Sequence, residues 1–190
     1  MPPDLRLLLD QGFPHPTGFV VGSIDRTVEV VHLSQFDPTL SAASTPDWAL
    51  YCIAAAEGFD ALVTRDASQL EQATEMYVLS RLHDFVVITW RQPIEDPIRE
   101  WGQLLAYLPA IKQRLLGVPR RGIVIRLPAP RLGGDNVWRP EERLGREAWA
   151  LGRSQDEVRA DARREIEAWC VQRLGDRGAF DQLLRHRPRR

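Results

Sequence analysis

Five short apolar runs alternate with helical stretches along the first two thirds of this chain, and each run stops at a polar or turn-forming signal. Leu5-Arg6-Leu7-Leu8-Leu9 ends at Asp10-Gln11-Gly12, and Ala61-Leu62-Val63-Thr64 ends at Arg65-Asp66. Val28 to Leu33, Phe85 to Trp90 and Gly122 to Leu127 are the other three, the last expected at a sheet edge. Runs of this length, rich in leucine and β-branched residues, read as strands. Between the second and third, Ser34 to Ser44 is loop-like, and Thr45-Pro46-Asp47 then starts a helix, with Thr45 as cap, Pro46 at the first helical position and an acid in the first turn. Gly58 closes that helix in the role glycine plays just past a C-terminus. A weaker helix is predicted through Leu70 and Met76 to Leu82, and a strong amphipathic one opens at Asp96-Pro97 and carries Ile98, Trp101, Leu104, Leu105, Leu108 and Ile111, with Pro109 expected to kink or shorten it. Strands alternating with helices predict a mostly parallel sheet covered by helices on both faces, a three-layer α/β/α arrangement. In such sheets, sites form at the carboxyl ends of the strands, near the point where strand order reverses.

The organisation along the chain divides at residue 127. Residues 1–127 form the expected α/β domain, 128–139 a Pro/Gly-rich linker, 140–184 a charged helical extension with a thin apolar stripe (Trp149, Val158, Ile166, Trp169, Leu174), and 185–190 a basic tail. With 190 residues, 44% of them hydrophobic, the chain suffices for one well-buried core. The formal net charge of −1 conceals a split: four arginines face twelve acids over residues 1–90 (−8), while twenty-one basic residues face fourteen acids over 91–190 (+7). The acidic half is suited to concentrate cations, and the basic half to meet phosphate or an acidic surface. Only Lys112 among the 25 basic residues is a lysine. Cys52 and Cys170 make no disulfide framework and are expected as buried thiols. The start Met1-Pro2-Pro3-Asp4 lacks the form of a signal peptide, and no run approaches the roughly 20 apolar residues of a membrane span, so the expected location is the cytoplasm.

Three acids fall where the topology rule puts a site. Asp10 ends the first strand, Asp66 ends the third, and Asp47 lies in the first turn of the helix leading into the third. Clustered carboxylates resist ionising together. A bound Mg²⁺ or Mn²⁺ relieves that, being a hard cation that takes oxygen ligands, and it can activate water and stabilise charge on a phosphate. Thr64, two residues before Asp66, is placed to orient Asp66 or the attacking water. Each acid also has a plain structural use: Asp47 against the helix dipole and Asp66 as a turn cap. Asp10, directly after Leu7-Leu8-Leu9, is harder to account for that way, because a buried strand end rarely carries an unpaired acid.

These residues resemble the PIN-like superfamily, and most of all its branch of predicted toxin-type ribonucleases, the VapC-like and Mut7-C-like proteins. The resemblance rests on Leu7-Leu8-Leu9-Asp10-Gln11, on Thr45-Pro46-Asp47-Trp48 leading a helix, and on the run from Ala54 to Thr64-Arg65-Asp66, and it covers about residues 5–116. It implies a metal-dependent endoribonuclease, often the toxin of a toxin–antitoxin pair and often a homodimer. Asp10, Asp47 and Asp66 would be the metal ligands, and Thr64 would stand behind them. Relatives often carry an acid after the first Asp, where this chain has Gln11, and a fourth acid for which Glu95 and Asp96 are candidates, although both read first as caps of the following helix. That departure keeps open the alternative of a catalytically inactive PIN-like module that binds RNA or a protein.

Other chemistries find no foothold. The sequence has no Gly-x-Ser-x-Gly and no glycine-rich phosphate loop. His15, His32, His83 and His186 lack metal-ligand spacing. Trp48, Trp101, Trp149 and Trp169 are expected in the core, while Trp90 and Trp138 are the tryptophans available to stack a base. Arg120, Arg121, Arg126 and Arg131, with the tail, are placed to follow an RNA backbone or to meet an antitoxin.

Overall fold

The computed structural model describes residues 3–13, 21, 25–40, 45–91, 96–117, 122–128 and 137–185. His15, Glu95, Arg120, Arg121, Arg131, His186 and most of the expected linker lie outside the described residues, as does the side chain of Trp138. Strands β1 (Leu5–Leu9), β2 (Val28–His32), β3 (Ala61–Val63), β4 (Val86–Trp90) and β5 (Ile123–Leu127) pair in parallel in the order β2-β1-β3-β4-β5. A two-residue strand, β6 (Val137–Trp138), pairs antiparallel with β5 and forms the outer edge. The last of the parallel strands is therefore not at the edge. The strand that covers it arises inside the stretch read as a linker, where two residues among prolines and glycines give no periodic signal.

Helices flank both faces, as the alternating pattern predicts. On one face Leu8, Leu62, Val87 and Val124 of the sheet share a core with α2 (Asp47–Ala56), α3 (Ala73–Arg81), α5 (Pro140–Ala150), α6 (Gln155–Leu174) and α7 (Ala179–Arg185). On the other face Leu7, Leu9, Val63, Ile88 and Ile125 pack against α4 (Pro97–Gly117) through Leu104, Leu108, Ile111 and Leu115. The α4 helix runs unbroken past Pro109, giving up only the one backbone bond that proline cannot donate. One further turn of helix, α1 (Leu33–Phe36), sits within the stretch expected to be loop; the His32 side chain caps it. No helix among the described residues is long and apolar enough to cross a membrane.

The helical C-terminal segment is built into this layer rather than set apart from it. Its buried stripe is Val158, Ala162, Ile166 and Cys170, four residues spaced by four, joined by Leu144, Ala148 and Phe180. Small Ala and Cys side chains make that stripe faint in sequence. Trp149, expected in the core, is 84% exposed, and Leu174 is exposed as well. Trp169 instead meets Trp48 edge-on at 4.9 Å between ring centroids. Ser154 and Glu157 start α6 with a reciprocal capping box, the Glu157 carboxylate accepting the Ser154 N–H at 2.8 Å.

Local signals locate the element that carries Asp47 to within one residue. Pro46, not Thr45, is the capping position, and it supplies no side-chain bond. At the far end Gly58 adopts φ 79°, the Phe59 N–H reaches the Ala54 carbonyl at 3.0 Å and the Gly58 N–H reaches Ala55 at 3.1 Å. That closing motif turns the chain straight into β3. Gly122 plays a tighter role before β5: at φ +58° an added Cβ would stand 3.3 Å from the Ser80 Cα on α3. Gly122→Ala is expected to lower stability by about 1–3 kcal/mol, since strain and a backbone contact act together. A guanidinium unfolding midpoint unchanged from the parent would refute this.

Candidate functional site

The chain leaves β1, forms β2 on one side, then passes back over β1 to form β3 on the other. This is a strand-order reversal, and the crevice it opens lies between the carboxyl ends of β1 and β3. Asp10 follows β1 directly and Asp66 stands three residues past β3. Asp47 arrives from above, in the first turn of α2. All three line one cleft of about 410 Å³, with Gln11, Gln69, Gln72, Glu75 and Glu165 among its other polar walls.

Asp10 is only 6% exposed. Its carboxylate accepts the Gln11 N–H at 2.7 Å and the Thr64 hydroxyl at 2.8 Å, with the Gln69 amide at 3.5 Å from the second of those oxygens. Thr64, fully buried, accepts the Asp66 N–H at 3.1 Å. The hydroxyl proton expected to orient Asp66 is thus given to Asp10 across the β1–β3 junction, and Thr64 grips Asp66 through its backbone instead. The reason is that β3 ends at Val63, so Thr64 and Asp66 no longer share a strand's alternation. Asp66 is exposed and also caps the 3₁₀ helix Ala67–Glu71, accepting the Ser68 N–H at 2.8 Å.

Electrostatics bind the set together. Burial, followed by the charges of Asp10 and then Asp66, pushes the Asp47 carboxyl up to about 6. Glu75, on the first turn of α3 and 3% exposed, is pushed up to about 8, by burial first and then by Asp47 and Glu165, against a lowering bond from its own backbone. One Glu75 carboxyl oxygen is buried without a partner. The Tyr51 hydroxyl, buried and unpartnered as well, is raised well above its ordinary value by burial and by Asp47, Glu75, Asp10 and Asp66. Glu165 reaches the rim from α6 and accepts the Thr74 hydroxyl at 2.7 Å.

With Glu165 at the rim, Glu75 is therefore one of two further acids of this cleft, and sequence reading missed it. An acid in the first turn of a helix is what the helix dipole favours anyway, and nothing in the pattern marks this one as buried. Its spacing with Gln69 and Gln72, three residues apart each, is the one available hint. Asp96 immediately precedes α4 and does not line the cleft. The remaining expected bystanders are structural. The His32 ring bonds the Phe13 carbonyl at 2.9 Å and the Ser34 hydroxyl at 2.8 Å. Cys52 and Cys170 are buried, and burial raises both thiols. Trp90 is 2% exposed and has no face to offer a base.

The donor set is all oxygen, largely acidic and mutually repelling, which suits a hard divalent cation. As the side chains stand, no three Asp, Glu, His or Cys groups among the described residues are gathered tightly enough to hold an ion in common. Comparison with family models, with curated proteins and with solved structures yields no match.

The raised carboxyls make a stability prediction. Asp47 keeps its proton up to about pH 6 when folded but loses it near 3.8 in the unfolded chain; for Glu75 the window runs from 4.5 to about 8. Each contribution is intact below the lower value and lost as pH rises through the upper one. With chelator present, Asp47→Asn and Glu75→Gln should raise the melting temperature above the parent's, little at about pH 5 and most at about pH 9. Gains that shrink with rising pH would contradict the assignment.

Proposed function

We propose that this chain is a PIN-like, Mg²⁺- or Mn²⁺-dependent endoribonuclease. The observation that supports it is the convergence of Asp10, Asp47 and Asp66 on one cleft at the β1/β3 strand-order reversal, with two further carboxyls, Glu75 and Glu165, on its walls. Asp10, Asp47 and Asp66 would hold the cation, with Glu75 beside them. When bound, the cation supplies Lewis acidity, lowering the pKa of an attacking water and countering charge on the scissile phosphate.

The chain's own residues supply position. Thr64 fixes the Asp10 carboxylate by donating its hydroxyl proton, so that Asp10 meets the cleft in one orientation. Asp66, now spent in part on Ser68, would turn from that cap toward the cleft. A positive charge beside Asp10 and Asp66 would favour the ionised form of Asp47, which burial and those two carboxylates disfavour. Glu75, still protonated at neutral pH, is a reservoir able to pass a proton to the departing oxygen.

Cleavage of a single-stranded RNA with Mn²⁺ is the test. Asp10→Asn and Asp66→Asn should each lose about a hundredfold or more of the rate, and Thr64→Val about ten- to a hundredfold, the cost usual for removing a partner of a metal ligand. Equal rates in all four proteins would sink the reading. Calorimetry that finds no Mn²⁺ uptake alongside intact RNA binding would favour the inactive RNA- or protein-binding module, the reading to which Gln11 in place of an acid points.

A further inference from the structure

The segments that carry Asp10 and Asp66 are fastened to each other, and the fastening is anchored behind the sheet. The Phe13 N–H reaches the Asp10 carbonyl at 3.1 Å, so Asp10-Gln11-Gly12-Phe13 closes into a tight turn at the end of β1. Arg65 lies between Thr64, whose hydroxyl bonds Asp10, and Asp66. The Arg65 Nη1 donates to the Gly12 carbonyl at 2.9 Å, so the segment leaving β3 grips the turn leaving β1. The stem of Arg65 lies across that turn as well: a Cβ added to Gly12 would stand 3.4 Å from the Arg65 Cδ.

The anchor is α4, which covers the face of the sheet away from α2, α3 and α6. The Arg65 Nε forms an ion pair with the Glu100 Oε2 at 2.6 Å, and the Glu100 side chain is 2% exposed. Glu100 stands in the first turn of α4, where the helix dipole also favours a carboxylate. Its neighbour Trp101 reaches the same turn by another route. Phe13 packs its ring against Trp101 at 6.1 Å and against Trp90 at 5.6 Å between centroids. One helix start thus holds the Asp10 turn twice, by charge through Arg65 and by apolar contact through Phe13. Neither Arg65, Glu100, Phe13 nor Trp101 lines the acid cleft.

An exposed ion pair would constrain little. A carboxylate as buried as Glu100 is costly to leave alone, so it keeps its partner in place. A planar guanidinium also fixes direction as well as distance. We infer that Arg65 is a positioning residue which, held by Glu100 from behind the sheet, sets the separation of Asp10 and Asp66 across the cleft. What that separation serves rests on the nuclease reading; the clamp rests on the distances alone.

The test uses the intact chain with Arg65→Met and Glu100→Met made together, so that no buried charge is stranded, and with Arg65→Lys as a second variant in case the pair misfolds. Amide hydrogen exchange, followed by NMR in chelator, reads the clamp without any metal. The Phe13 and Asp66 N–H groups, bonded to the Asp10 carbonyl and the Thr64 hydroxyl, should exchange about tenfold faster or more, while the Phe59 and Leu82 N–H groups keep the parent's rates. A purely stabilising pair would instead speed all four together. With Mn²⁺ and RNA, kcat should fall about ten- to a hundredfold at nearly unchanged KM. Parent-like exchange at Phe13 and Asp66, a uniform rise at all four amides, or an unchanged kcat beside a cleaving parent overturns the clamp. A parent that neither cleaves nor takes up Mn²⁺, with the local rise still present in the variants, loses only the nuclease reading.

Discussion

The return of the chain over β1, from β2 to β3, is the constraint on which the rest of the molecule hangs. A parallel strand cannot reach its neighbour by a tight turn, so the crossing needs a long connection, and α2 lies in it. The closing glycine of α2 and the Phe59–Ala54 backbone bond deliver the chain directly into β3. The same crossing sets two strand ends side by side with their exits diverging, and the gap between them becomes the cleft. Asp10, Asp47 and Asp66 meet because each lies within three residues of an element boundary belonging to that one crossover.

The opposite end of the same strand pair shows what a satisfied acid looks like. Asp60, fully buried just before β3, accepts the Arg6 N–H at 2.7 Å, and its own backbone bonds Arg6 and Val86. That acid ties β1, β3 and β4 together and is spent doing so. At the carboxyl end, burial and neighbouring carboxylates instead push Asp47 and Glu75 toward their neutral forms. The contrast separates an acid that stabilises the sheet from a group of acids whose ionisation the fold resists.

Much of this was legible from the residues. The apolar run ended by Asp10 gave both a strand and a residue of the cleft wall, because a strand end is a local signal. The start of α2 was legible to within one position for the same reason. Features made by contacts distant in the chain were not. The β6 strand exists only through its pairing with β5, and the burial of Glu75 exists only through the layer of helices above it. Trp149 marks the same limit from the other side: helical spacing places a tryptophan on a stripe but does not say where the stripe stops meeting a partner.

The bond from Thr74 to Glu165 spans 91 residues of chain. Contacts that far apart form after local ones, because the loop between them must first be closed. The sheet ends bearing Asp10 and Asp66 can therefore assemble while the outer wall of the cleft is still missing. Docking of α6 therefore completes the wall of the cleft through Glu165, so the last helices finish a site whose floor the sheet ends already supply.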